Sequence, residues 1–147
     1  MSQKAGEYAG DLDAAEAWKL LSGDPRAQLI DVRTAAEWTY VGLPDLTGLG
    51  RAAHTIEWQS YPDMEINADF VEVAADALRH TGAGKDTPLL MLCRSGVRSK
   101  AAAIALTRAG FTHAYNIAGG FEGNVDPAGH RGSINGWKAA GLPWRQG

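Results

Sequence analysis

Cys93 is the chain's one thiol, and the residues after it are unusual company for a cysteine of the core. Across Cys93-Arg94-Ser95-Gly96-Val97-Arg98-Ser99 the sequence sets a nucleophile beside two guanidinium groups, two hydroxyls and a glycine suited to a tight turn. A cysteine that only fills space needs neither the arginines nor the turn, whereas a reactive thiolate needs an electropositive, partly open surrounding. Lys100 adds a further cation, and positive charge of this density suits an anionic substrate. The chemistry these residues support is attack by a thiolate, with a covalent intermediate on sulfur. Lowering a thiol's pKa contributes little alone. A shift from about 8.5 to about 6.5 raises the ionised fraction at pH 7 about 25-fold, but nucleophilicity falls roughly tenfold. Most of the rate must come from holding the donor in line and from fixed N–H groups aimed at the sulfur and the leaving group.

Such a loop has to be carried by rigid elements. Leu89-Leu90-Met91-Leu92, after Pro88, reads as a buried strand, and residues 99–109, closed by Gly110, read as a helix. Cys93 then sits between a strand's carboxyl end and a helix N-terminus, where backbone N–H groups and the helix dipole favour an anion. Asp13-Ala14-Ala15-Glu16 has the spacing of a capping box and opens a first helix with Ala14, Ala17, Trp18 and Leu21 on one face. Residues 27–32 read as a strand, Thr34-Ala35-Ala36-Glu37 caps a short second helix, and residues 54–58 read as another strand. Asn67 is placed to cap a helix in which Phe70, Val73, Ala74, Ala77 and Leu78 recur at helical spacing. Strands alternating with helices predict an α/β fold, a mostly parallel central sheet with helices on both faces. Ligands of such sheets bind beyond the carboxyl ends of the strands, where Cys93 lies.

Asp31 and Arg33, at the end of their strand, are expected to pair beneath the loop in a structural role. His54, His80, His113 and His130 lack metal-ligand spacing and are expected on the surface or in local hydrogen bonds. His130, in Pro127-Ala128-Gly129-His130-Arg131-Gly132, is the one histidine on a loop suited to covering a site. Residues 41–53 and 122–135 read as long connections, the second as an insertion before a closing helix.

The cysteine loop resembles that of the rhodanese family of sulfurtransferases, which runs from a cysteine through a glycine to an arginine and into a helix. Leu29-Ile30-Asp31-Val32-Arg33, followed by Ala36-Glu37-Trp38, resembles that family's first core strand and following turn. Gly110-Phe111-Thr112-His113-Ala114-Tyr115-Asn116-Ile117-Ala118-Gly119-Gly120-Phe121 resembles its last strand and Gly-Gly turn, and Gly136-Trp137-Lys138-Ala139-Ala140-Gly141-Leu142-Pro143 its closing helix. Together these motifs cover most of residues 11–145. The domain is therefore read as residues 11–147, a single rhodanese-like domain behind a flexible extension of residues 1–10.

The resemblance implies that the Cys93 thiolate attacks the outer sulfur of a small anionic donor such as thiosulfate, expels sulfite and passes the sulfur, held as a persulfide, to a thiol or cyanide. Cys93 is then catalytic, and Arg94, Ser95, Gly96, Val97, Arg98 and Ser99 form the substrate-binding loop, with Arg98 inward and Arg94 at the rim. It implies no cofactor and no metal. The alternative is a persulfide carrier that delivers sulfur to a protein partner. A cysteine phosphatase or arsenate reductase is disfavoured, because the phosphatase arginine is the sixth residue after the cysteine. Here Arg98 is the fifth, and Leu92 stands where many such phosphatases carry histidine. The shorter loop suits one sulfur atom better than a tetrahedral phosphate.

At 147 residues the chain fits one domain with a self-sufficient core, and 45% hydrophobic with 21% charged residues is ordinary for a soluble globular protein. A net charge of −3 provides no electrostatic footprint for nucleic acid, so a small anion is the better match to the local basic loop. Met1-Ser2-Gln3-Lys4-Ala5-Gly6-Glu7-Tyr8 lacks the apolar stretch of a secretion signal, and no run is long and apolar enough for a membrane span. One cysteine makes no internal disulfide, and the expected setting is the reducing cytoplasm.

Overall fold

The structure is a computed structural model that describes residues 7–60 and 65–146. Its elements, in chain order, are β1 (Gly10–Leu12), α1 (Ala14–Gly23), β2 (Gln28–Asp31), α2 (Ala35–Tyr40), β3 (Leu43–Pro44), a 3₁₀ turn (Thr47–Leu49) and β4 (His54–Thr55). There follow β5 (Gln59–Ser60), β6 (Glu65–Ile66), α3 (Phe70–His80), β7 (Leu89–Leu92), α4 (Val97–Arg108), β8 (Ala114–Ile117) and β9 (Trp144–Arg145). Five strands make one parallel sheet in the order β1-β8-β7-β2-β4. β3 pairs with β9 and β5 with β6, both antiparallel.

The cysteine strand lies at the centre. β7 pairs with β2 on one side, Leu90 opposite Leu29, and with β8 on the other, Leu90 opposite Tyr115. A strand sends alternate side chains to opposite faces. Leu89, Met91 and Cys93 therefore join Ile30, Val32, Phe70, Leu78 and Leu106 beneath α3 and α4. Leu90 and Leu92 join Leu21, Leu29, Ile117, Phe121 and Trp137 on the α1 side. Both faces are covered, and the alternation that builds the core also directs Cys93 toward α4. Among the described residues no helix is long and apolar enough to cross a membrane.

Both capping boxes are formed. Asp13 Oδ1 accepts the Glu16 N–H at 2.8 Å while Glu16 accepts from Asp13, and Thr34 and Glu37 do the same at α2. Four expectations need correction. Tyr8 is buried in the core and the Ala9 N–H donates to the Ala114 carbonyl, so the fold is under way by Tyr8 and β1 begins at Gly10. A three-residue edge strand is too short to show a period; residues 1–6 of the expected extension lie outside the described residues. Asn67 does not cap α3: its side chain accepts from the Asp69 N–H in an Asx turn, and the helix starts at Phe70 with Asp69 before it. The strand expected over 54–58 is His54–Thr55 alone. The closing helix is reduced to turns over 137–141, because Gly136 (φ +97°) and Gly141 (φ +74°) sit in the left-handed region and leave only residues 137–140 between them for helical geometry.

Candidate active site

Cys93 follows the last residue of β7, and the chain turns sharply after it. Gly96, at φ +109°, makes that turn and brings its N–H to 3.1 Å from Cys93 Sγ. α4 starts at the next residue, and its first turn carries Ser99, whose buried Oγ lies 3.1 Å from the same sulfur. The sulfur thus has one backbone donor and one hydroxyl beside it, both delivered by the strand-to-helix turn.

A second turn supports the first from below. After β8 the Gly119-Gly120 pair folds back so that the Phe121 N–H donates to the Cys93 carbonyl at 2.8 Å and the Glu122 and Gly123 N–H groups donate to the Arg94 carbonyl. Gly120 has φ +61°, and a β-carbon there would meet the Cys93 carbonyl oxygen at 2.4 Å. Glycine is required by both the dihedral and the approach.

Asp31 and Arg33 form the expected ion pair, fully buried, with Nε–Oδ1 2.9 Å and Nη2–Oδ2 2.7 Å. Arg33 also donates to the Gly42 carbonyl and lies 4.3 Å from the centre of the Phe121 ring. Because Phe121 is bonded to the Cys93 backbone, this pair underpins the loop and makes no contact with the sulfur among the described bonds.

Arg98 is held differently from expectation. Its guanidinium grips Glu37 with two bonds, 2.7 and 3.0 Å, and ties α4 to α2 at the cleft wall. Burial would push the Glu37 carboxyl up, but the Arg98 guanidinium outweighs it and holds the group below its ordinary 4.5. Burial likewise opposes the charge on Arg98, and Glu37 reverses it and raises Arg98 above its ordinary range, with charge on Cys93 adding to the effect. The stability this pair supplies is therefore complete above the unfolded carboxylate's pKa and disappears as pH falls through the lower folded-state value. Comparing native protein with Glu37→Gln, the difference in Tm should be widest above about pH 5 and close on further acidification. A difference that stays constant through acid would contradict the pairing.

The cleft at the mouth of this loop has a volume of about 600 Å³, and its walls include Cys93, Arg94, Val97, Arg98, Glu37 and Arg131. Arg94 is exposed at the rim and, among the described residues, has no ion-pair partner. Ser95 lines the cleft, Gly96 and Ser99 lie at the sulfur, and Val97 is 78% exposed at the mouth.

Glu37, Arg131 and Asn116 are the residues that sequence reasoning missed. Loop 122–135 does reach the site, through Glu122 and Arg131 and not through the exposed His130. Asp126 organises that loop by accepting from the Ala128 and His130 N–H groups and the Ser133 hydroxyl, and Arg131 donates to the Gly123 carbonyl. The signal for Asn116 was a polar residue in a strand of otherwise apolar inward positions. His80 and His113 are hydrogen-bonded locally, to the Asp76 carbonyl and Thr112, while half-buried His54 bonds Gln28 of the neighbouring strand.

Residues 9–147 match the STR4 middle domain family. The chain belongs to that family and is a rhodanese-like domain. It is 35% identical over 132 residues to the uncharacterized protein RC0915 of Rickettsia conorii, covering 90% of this chain and 94% of that one. It is 26% identical over 133 residues to the thiosulfate sulfurtransferase GlpE of Actinobacillus succinogenes, covering 90% and 87%. The crystal structure of Rv0390 from M. tuberculosis superposes with a TM-score of 0.82 at 48% identity, covering 95% of this chain and 99% of that one. The polysulfide-sulfur transferase of Wolinella succinogenes, at 23% identity and a TM-score of 0.55 over 93% of this chain and 78% of that one, shares the fold. The rhodanese-like domain is thus related to sulfurtransferases.

Proposed function

We propose that this rhodanese-like domain is a sulfurtransferase in which Cys93 carries the sulfur. The Cys93 thiolate attacks the outer sulfur of thiosulfate, the S–S bond of the donor breaks, and sulfite leaves with the bonding pair. The new S–S bond makes Cys93 a persulfide, and a thiol or cyanide then takes the outer sulfur and returns the thiolate. The observation that carries this reading is the Cys93 sulfur at the base of a cleft with arginines on its walls, 3.1 Å from both the Gly96 N–H and Ser99 Oγ. The similarity to the thiosulfate sulfurtransferase of Actinobacillus succinogenes supports the same chemistry. The loop from Arg94 to Ser99 is the substrate-binding loop, and a reducing cytoplasmic setting would keep its thiol available. No phosphatase activity on an aryl phosphate is expected from so short a loop.

The two loop arginines divide the work. Of the two, Arg94 is the one without an ion-pair partner among the described residues, so it draws in a dianion; Arg131 on the cleft wall, likewise without an ion pair among them, is tied to the Gly123 carbonyl. Arg98 shares its charge with Glu37 and fixes the wall of the cleft. Arg94→Ala should raise KM for thiosulfate about fivefold with kcat little changed, and its effect should shrink as salt is raised. Arg98→Lys replaces a two-bond fork by a point charge and should lower kcat about tenfold or more. Thiocyanate formation from thiosulfate and cyanide measures both; equal small losses at the two positions would contradict the division.

The carrier reading draws on Val97, an apolar side chain 78% exposed at the cleft mouth, which a protein acceptor would cover. Negligible turnover with cyanide beside full sulfur loading would favour it.

A further inference from the structure

A hydrogen-bonded chain runs from the sulfur to the edge strand of the sheet. Ser99 Oγ lies 3.1 Å from Cys93 Sγ and 2.5 Å from Asn116 Oδ1. Asn116 Nδ2 donates to Asp11 Oδ1 at 3.0 Å, and the Tyr8 hydroxyl donates to the same oxygen at 2.9 Å. Cys93, Ser99, Asn116 and Tyr8 are buried, and Asp11, on β1, is exposed.

The donors and acceptors fix the direction of each bond. A carboxylate only accepts, so Asp11 turns the amide nitrogen of Asn116 toward itself and the amide oxygen toward Ser99. That oxygen also only accepts, so the one Ser99 proton goes to it. The Ser99 oxygen then faces the sulfur with lone pairs, ready to accept from a thiol but not to support an anion. When the sulfur is charged, as thiolate or persulfide, Ser99 helps it only by swinging its proton away from Asn116, which leaves a buried amide oxygen one bond poorer. The amide does not relay protons as a carboxyl or imidazole does, so the chain acts by orientation.

We propose that Asn116 and Asp11 are positioning residues that direct the Ser99 hydroxyl, so that Ser99 favours the Cys93 thiol at rest and turns to the sulfur when it becomes anionic. The proposal rests on Cys93 as the reacting group of the sulfurtransferase reading and adds the control of its charge. Other charges line the cleft in either state of Ser99: Arg98 on α4, Arg94 on the loop, Glu37 on α2, and Glu122 and Arg131 on loop 122–135, with the buried Asp31–Arg33 pair beneath the loop and Lys100 over the Tyr8 ring. A change at Asn116 leaves all of these in place.

The test is the pH profile of iodoacetamide alkylation at Cys93, the sole thiol, read by intact mass on the full chain. Ser99→Ala removes both the acceptor that favours the thiol and the donor that turns to the anion, and its midpoint, expected within about one pH unit of native, is the reference for the changes at Asn116 and Asp11. Asn116→Leu, an apolar side chain of similar shape, frees the hydroxyl for the sulfur and should move the midpoint down by about one pH unit. In Ser99→Ala/Asn116→Leu the second change has nothing to act through, and the midpoint should equal that of Ser99→Ala. Asp11→Ala, at an exposed position, releases the amide and should lower the midpoint in the native background but not beside Ser99→Ala; it serves equally if Asn116→Leu does not fold. The proposal is overturned if Asn116→Leu and Asp11→Ala leave the midpoint unchanged or raise it, or if their effects persist without Ser99, which would mark direct electrostatics. Alkylation needs no sulfur donor, so failure of sulfur loading and failure of this control are separate results.

Discussion

Gly120→Ala is expected to lower thiosulfate turnover at least about a hundredfold, although residue 120 touches no substrate. A β-carbon there meets the Cys93 carbonyl oxygen at 2.4 Å, the Arg94 carbonyl carbon at 2.6 Å and the Arg94 oxygen at 2.7 Å. All three are backbone atoms, so no side chain can swing aside, and the cysteine loop itself has to move. The left-handed dihedral adds roughly 1–2 kcal/mol of its own. A displacement of the order of 1 Å at a reacting group costs about a hundredfold in rate. Gly129→Ala is the control: its φ is +84°, but a β-carbon there has nothing within 4 Å, so it bears the dihedral cost alone and turnover should be preserved. Equal turnover in the two variants would show that the Gly-Gly turn does not set the loop.

The buried pair beneath the loop governs stability. Asp31→Leu leaves the Arg33 guanidinium charged and fully buried, and should cost about 3–5 kcal/mol in urea unfolding. Asp31→Leu/Arg33→Met removes both charges and should recover most of that loss, because an apolar pair of similar volume carries no desolvation penalty. Equal loss in the single and double variants would mean that packing, and not the uncompensated charge, is what the site requires.

Much of this arrangement was legible in the sequence because the responsible signals are local. Two capping boxes, the apolar run before Cys93 and the alternation of strands and helices depend on residues a few positions apart, and the structure forms each of them. The Asp31–Arg33 pair was legible for the same reason, being two residues apart on a strand end. What was hidden depends on residues far apart in the chain. Glu37 reaches Arg98 across 61 positions and Asp11 reaches Asn116 across 105, and neither leaves a periodic trace. The closing helix was misread because its apolar and alanine residues suit a helix, while left-handed Gly136 and Gly141 leave only four residues between them. Loop 122–135 read as an insertion; that it lines the cleft was hidden because its hub, Asp126, bonds largely through backbone N–H groups that sequence spacing does not reveal.

The central claim, that Cys93 accepts and carries sulfane sulfur, is tested most directly by intact mass after incubation with thiosulfate. The native chain should gain one sulfur atom, about 32 Da, and lose it on addition of cyanide, while Cys93→Ser, nearly unchanged in size, should fold and gain nothing. A native chain that gains no sulfur from thiosulfate, or a Cys93→Ser variant that gains as much, would contradict it.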